Sequence, residues 1–105
     1  MTHGIAIVGY GKMGRLIEQL APEYDFAVRA KFDSHGNPRG AALTREALRG
    51  VDVALEFSTP DAAAENLCRL AALGVPAVAG ATGWFEQLPA VRAAADAGGA
   101  GLVWT

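Results

Sequence analysis

The sequence predicts an α/β domain built on a doubly wound parallel sheet of about five strands. Three observations predict it. Short apolar runs of strand length alternate with helix-length amphipathic runs along the whole chain. The connections between them are short, which implies parallel strands joined by right-handed crossovers. Glycines cluster where a strand gives way to a helix, at residues 9–14 and again at residues 80–83.

The first strand is read at residues 5–8, an unbroken apolar run. The first helix covers residues 13–21. It is amphipathic, with Met13, Leu16, Ile17 and Leu20 at i, i+3, i+4 and i+7, and Pro22 stops it. The second strand covers residues 26–32. Phe26, Val28, Ala30 and Phe32 alternate with Arg29 and Lys31, so one side is less buried than in a central parallel strand. Residues 36–38 form a turn. A short helix is expected at residues 44–49, with Thr44 as cap and Gly50 as stop. The third strand covers residues 51–57.

A strong helix start follows at residues 58–61. Thr59 is placed to cap, Pro60 suits the first helical position and Asp61 complements the helix dipole. This helix runs to Leu73, with Ala64, Leu67, Cys68 and Ala71 on one face and Gly74 after it. The fourth strand covers residues 75–79. A tight turn at residues 80–83 leads into a helix that runs to about Ala97, and Gly98 with Gly99 breaks it. A fifth strand begins at residues 101–104. The chain ends soon after that apolar strand, and it reads as one domain, residues 1–105, of a longer protein.

The chemistry of the chain centres on its first loop. Gly9-Tyr10-Gly11-Lys12-Met13-Gly14 is a G-x-G-x-x-G run at a strand-to-helix junction. The first glycine lets the chain turn sharply, the second lets backbone N–H groups approach a pyrophosphate, and the third lets the helix pack closely on the strand. The helix N-terminus offers unpaired N–H groups and partial positive charge to phosphates. Asp33 follows Gly14 by 19 positions, at the end of the second strand, where a carboxylate can accept hydrogen bonds from ribose hydroxyls. The pattern reads as a Rossmann-like dinucleotide-binding domain. Asp33 favours a free ribose 2′-hydroxyl, whereas Lys31 and Arg39 soften that preference, so both NADH and NADPH are admitted. Lys12 and Arg15 either add charge at the phosphates or are solvated surface residues.

Ligands of open α/β sheets bind outside the carboxyl ends of the strands. Residues 57–59 and the turn at 80–83 lie there with the first loop. Ser58 and Thr59 also read as plain helix caps. The glycines and threonine of the later turn suit close approach of a flat ring such as nicotinamide. Glu56, a lone acid at a strand end, reads as structural, and Cys68 as a small core residue. His35 reads as a turn residue that could reach the adenosine end of a cofactor.

Composition bounds the alternatives. The chain has 105 residues, 51% hydrophobic and 19% charged, enough for a single core. A net charge of −2 argues against nucleic acid as main partner. No apolar run approaches the roughly 20 residues of a membrane span. The start leads directly into a strand with no secretory pattern, and one cysteine allows no internal disulfide or metal cluster. A cytoplasmic protein is expected. No catalytic residue and no metal site are expected within these residues.

Three segments resemble one family. They are residues 7–15, beginning Ile7-Val8-Gly9-Tyr10-Gly11-Lys12; residues 52–60, Asp52-Val53-Ala54-Leu55-Glu56-Phe57-Ser58-Thr59-Pro60; and residues 74–84, ending Gly80-Ala81-Thr82-Gly83-Trp84. Together they resemble the N-terminal cofactor domain of the 4-hydroxy-tetrahydrodipicolinate (dihydrodipicolinate) reductases, over essentially the whole chain. The resemblance implies an oxidoreductase that uses NADH or NADPH in diaminopimelate and lysine biosynthesis. It implies that residues 9–14 hold the pyrophosphate and Asp33 the ribose. Phe57 and Ser58 would lie along the cofactor, and Gly80 and Thr82 at the nicotinamide and substrate edge. Ala81 departs from the family's threonine. The family's catalytic segment and its tetramer-forming second domain would follow Thr105, so the full-length protein is expected to be a homotetramer and this chain alone to be inactive. The competing readings are a free-standing nucleotide-binding module without chemistry and the cofactor domain of another amino-acid dehydrogenase, such as diaminopimelate or aspartate dehydrogenase.

Overall fold

The computed structural model describes residues 3–33, 37, 40–80 and 85–104. Among them, five strands form one parallel sheet: β1 (His3–Val8), β2 (Phe26–Phe32), β3 (Val53–Glu56), β4 (Ala77–Ala79) and β5 (Leu102–Trp104). The order across the sheet is β2-β1-β3-β4-β5. The helices are α1 (Lys12–Leu20), α2 (Pro60–Ala72) and α3 (Leu88–Gly98). The expected doubly wound sheet is present. Strand order reverses between β1 and β3, and that reversal opens a crevice at their carboxyl ends.

The two faces of β1 separate by the period-2 alternation of a strand. Ala6 and Val8 join Leu67, Leu70 and Val91 in the main core, under α2 and α3. Ile5 and Ile7 are as deeply buried but lie on the other face, where α1 crosses. A side chain on Gly14 would meet Ile7 Cγ2 at 2.9 Å, so only glycine lets α1 sit this close. The α2–α3 contact has a similar device, because a side chain on Gly98 would overlap the carbonyl of Ala71. Gly99, at φ 68°, ends α3 in the left-handed conformation that glycine tolerates best.

Several expectations are corrected. The apolar stripe of α1 is amphipathic as read, yet Met13 is 50% exposed, Leu16 46% and Leu20 39%. Gly14 is the buried residue of this helix. The sheet contact of α1 lies to one side of its stripe, because the helix approaches along its glycine. On α2 the buried line is Ala63, Leu67, Leu70 and Ala71, with Ala64 and Cys68 at its margin. Residues 44–49 form successive turns in place of a helix. Thr44 Oγ1 does accept the Ala47 N–H at 3.1 Å, but the segment is too short to continue past one turn. Its Leu48 and the nearby Leu43 still plug the core. Past Pro22 the chain continues as a 3-10 turn, Ala21–Tyr24, before Asp25 (φ 62°) redirects it into β2.

Candidate functional site

A cleft of about 540 Å³ lies at the carboxyl ends of β1, β2 and β3. Its floor is built by the G-x-G turn and by the turn that follows β3. Gly9 has φ +99°, and a side chain there would stand 2.6 Å from both Phe57 C and Ser58 N. The first glycine therefore lets two turns touch backbone to backbone. Gly9 N and Tyr10 N both donate to the Phe32 carbonyl, at 2.8 and 3.2 Å, which ties the loop to the end of β2. Gly11 is the contrasting position. Nothing lies within 4 Å of where its side chain would be. Its open side is part of the cleft wall.

Two helix N-termini meet this cleft, and neither is closed by a side chain. Gly11 is the N-cap of α1 and makes no side-chain cap hydrogen bond. Thr59 is the N-cap of α2 in extended conformation, and its hydroxyl does not cap either. That corrects the expectation of a capping Thr59. Pro60 and Asp61 do stand in the first turn as read. Ser58 also departs from a plain cap. Its N–H donates to Glu56 Oε1 at 2.6 Å, and its hydroxyl accepts from Asn66 Nδ2 at 3.3 Å. In α2, Pro60 has no N–H and the Ala62 and Ala63 N–H groups donate to the Thr59 carbonyl at 3.1 and 2.9 Å, so the first turn of α1 is the one that can offer backbone N–H groups to an anion.

Behind the Ser58 turn lies a polar network that sequence reading missed. Asn37 Nδ2 donates to Asn66 Oδ1 at 3.1 Å, and Asn37 Oδ1 accepts from Ala42 N at 3.0 Å. Both asparagines are buried and both line the cleft. The network fastens the loop after β2 to α2. Glu56 ends it. This residue is fully buried, and its Oε2 has no hydrogen-bond partner among the described residues. Burial pushes the Glu56 carboxyl above the ordinary carboxylate range, and hydrogen bonds from Ser58 and Asn66 offset part of the rise. The only hint in the sequence was an acid inside an apolar strand.

The residues read from the sequence separate into those at the cleft and those behind it. Gly9, Tyr10, Gly11, Asp33, Phe57 and Ser58 line it, and Arg15 joins them. Gly14 lies underneath, where a side chain would meet the Gly9 carbonyl at 2.7 Å. Lys12 and Met13 begin α1 and are exposed. Gly80 lies behind Phe57, whose ring occupies the space a side chain on Gly80 would need. Thr82, with Ala81, Gly83 and Trp84, lies outside the described residues, as do His35 and Arg39. Among the described residues no group of three or more His, Cys, Asp or Glu could hold a metal. None of the described helices is long and apolar enough to cross a membrane.

Comparison with known proteins agrees with the sequence reading. The family described as dihydrodipicolinate reductase, N-terminus, matches residues 3–105. The chain belongs to this family. A 4-hydroxy-tetrahydrodipicolinate reductase of Christiangramia forsetii is 32% identical over 90 residues, covering 84% of this chain and 35% of that protein. The chain spans about a third of the length of this curated relative. A solved structure from Archaeoglobus fulgidus, titled as a homoserine dehydrogenase, superposes with a TM-score of 0.66. That superposition covers 98% of this chain and 42% of the other at 19% identity, a likeness of fold alone.

Proposed function

We propose that this chain is the NAD(P)H-binding domain of a reductase that transfers hydride to a dihydrodipicolinate-type cyclic imine in diaminopimelate and lysine biosynthesis. One observation carries the reading. The crevice at the strand-order reversal is flanked by two helix N-termini without side-chain caps, and Gly11, the N-cap of one of them, keeps its side toward the cleft open. A pyrophosphate fits this arrangement. It needs backbone N–H donors, a positive helix end and the absence of a side chain at the closest approach.

The roles of the chain's own residues follow. Gly9 and Gly14 hold the loop in the only shape that packs, and Gly11 leaves the approach clear. Tyr10, Lys12 and Met13 supply the intervening backbone. Asp33, just past β2, accepts hydrogen bonds from the adenosine ribose. Phe57 and Ser58 form the wall beside the rest of the dinucleotide, and Gly80 with Thr82 is assigned to the nicotinamide edge. The nicotinamide dinucleotide, when bound, supplies the hydride. The proton donor and substrate clamp belong to a second domain of the full-length enzyme, proposed to be a cytoplasmic homotetramer, so this chain by itself is expected to be inactive.

The test is a calorimetric titration of the folded chain with NADH and with NADPH, repeated on Asp33→Ala. NADH binding that weakens about tenfold, the loss of one to two hydrogen bonds to a charged acceptor, supports the reading. Failure of the folded chain to bind either nucleotide sinks it.

A further inference from the structure

The assignment above leaves a charged cluster at the outer edge of the loop without a role. Tyr10 stands between the first two glycines, and its hydroxyl donates to Glu18 Oε1. Lys31 Nζ donates to the other oxygen of the same carboxylate at 2.7 Å. The Tyr10 ring also collects both neighbouring cations. Arg15 Cζ lies 4.7 Å from its centroid and Lys31 Nζ 5.0 Å. Such distances suit cation–π attraction. Arg15 and Asp33 line the cleft together. Lys31 is the penultimate residue of β2 and Asp33 the first residue after it, so both lie at the carboxyl end of that strand.

We propose that Glu18 is a specificity-determining residue that holds the site to dinucleotides with a free ribose 2′-hydroxyl, NADH over NADPH. The inference rests on the cofactor reading and deepens it. Two cations, Arg15 and Lys31, and two carboxylates, Glu18 and Asp33, balance one another at the end of β2. A 2′-phosphate would add roughly two negative charges beside Asp33, as phosphate monoesters do near neutral pH. Its repulsion by Asp33 has to be offset by nearby cations. Lys31 is committed to Glu18, and the pairing is mutual. The Lys31 hydrogen bond, then that of Tyr10, pulls the Glu18 carboxyl below its ordinary range, and the Glu18 hydrogen bond raises the Lys31 ammonium. A ribose hydroxyl makes no such demand, because it needs only an acceptor. Glu18 does not line the cleft, so it acts through Lys31 and Tyr10 as a positioning residue.

Glu18→Gln keeps the size of the side chain and removes its charge, leaving the cluster net positive. Calorimetry on the 105-residue chain should then show the affinity ratio of NADPH to NADH rising about five- to tenfold at low ionic strength, the effect of one exposed charge at close range. The rise should shrink in about 0.5 M salt, where the screening length falls to a few ångströms. Adding Lys31→Ala to Glu18→Gln should cancel it. Lys31→Ala alone, which does not depend on the Gln variant folding, should shift the ratio the other way, toward NADH. An unchanged ratio in either single variant, with both nucleotides still bound, overturns the proposal and leaves the cofactor reading standing. A folded wild-type chain that binds neither nucleotide overturns both.

Discussion

The two walls of the cleft are made of different things. The inner wall, around Gly9, Phe57 and Gly80, is backbone and ring in direct contact, with no room for an added carbon at either glycine. The outer wall, around Tyr10 and Arg15, is made of partly exposed side chains, backed by the Glu18–Lys31 ion pair, which lies outside the cleft. The inner wall is continuous with the core, since the strands that end there are its most buried elements. The outer wall hangs on β2, an edge strand, and on the exposed side of α1. On the proposed reading, recognition of the part common to all dinucleotides would be coupled to folding, and recognition of the part that differs would rest on charges that can change without disturbing the core.

The largest expected effect breaks the inner wall. Gly9→Ala combines a positive φ that alanine rarely adopts with a carbon 2.6 Å from Phe57 C. It should cost about 3 kcal/mol or more, from backbone strain and overpacking together, read as a lowered denaturant midpoint. A midpoint within error of wild type would show that the two turns are not locked together. Glu56 sharpens the comparison, because it is the one ionisable group buried behind that wall among the described residues. Its folded pKa is raised above the ordinary value of 4.5 by burial. Its contribution to stability is therefore fully present below that value and is lost as pH rises through the folded pKa. Relative to Glu56→Gln, the wild-type chain should lose thermal stability between a pH near 4.5 and a more alkaline pH, as the buried carboxyl is forced to ionise. Parallel melting curves at both pH values would contradict this.

The smallest effect on stability is expected at Gly11→Ala, where nothing lies within 4 Å and φ is −103°. The change should move stability by less than about 1 kcal/mol, with alanine reducing the freedom of the unfolded chain. It should nevertheless weaken NADH and NADPH alike, because the added methyl group points into the space assigned to the pyrophosphate. Two neighbouring glycines would then separate cleanly, one needed by the fold and one by the ligand. Equal nucleotide affinity in wild type and Gly11→Ala would remove the pyrophosphate from that position.

Much of this was legible in the chain. The alternation of strands and helices, Pro60 and Asp61 at the start of α2, the G-x-G-x-x-G loop and Asp33 beyond β2 are local patterns, and they stood where they were read. Other features were not legible. The Asn37–Asn66 bond joins residues 29 apart, and the Glu18–Lys31 pair joins residues 13 apart on different elements. Nothing in the local spacing of an asparagine or a glutamate marks such partners. Thr59 was read as a cap because threonine commonly is one, but its hydroxyl makes no such bond. The apolar stripe of α1 was legible as a stripe, but its exposure was not, since hydrophobic periodicity says which residues share a face and not what covers it.

By itself, then, the sequence determined the order of elements, the family and the place of the glycine loop, because steric demands on glycine, proline and alternating apolar residues act over a few positions. Only the tertiary structure decided which glycine closes a contact and which stays open, and which carboxylate is buried and which holds a lysine. Those outcomes depend on what a crossover brings alongside from distant parts of the chain, and the dielectric and the partners found there set the charge of each group.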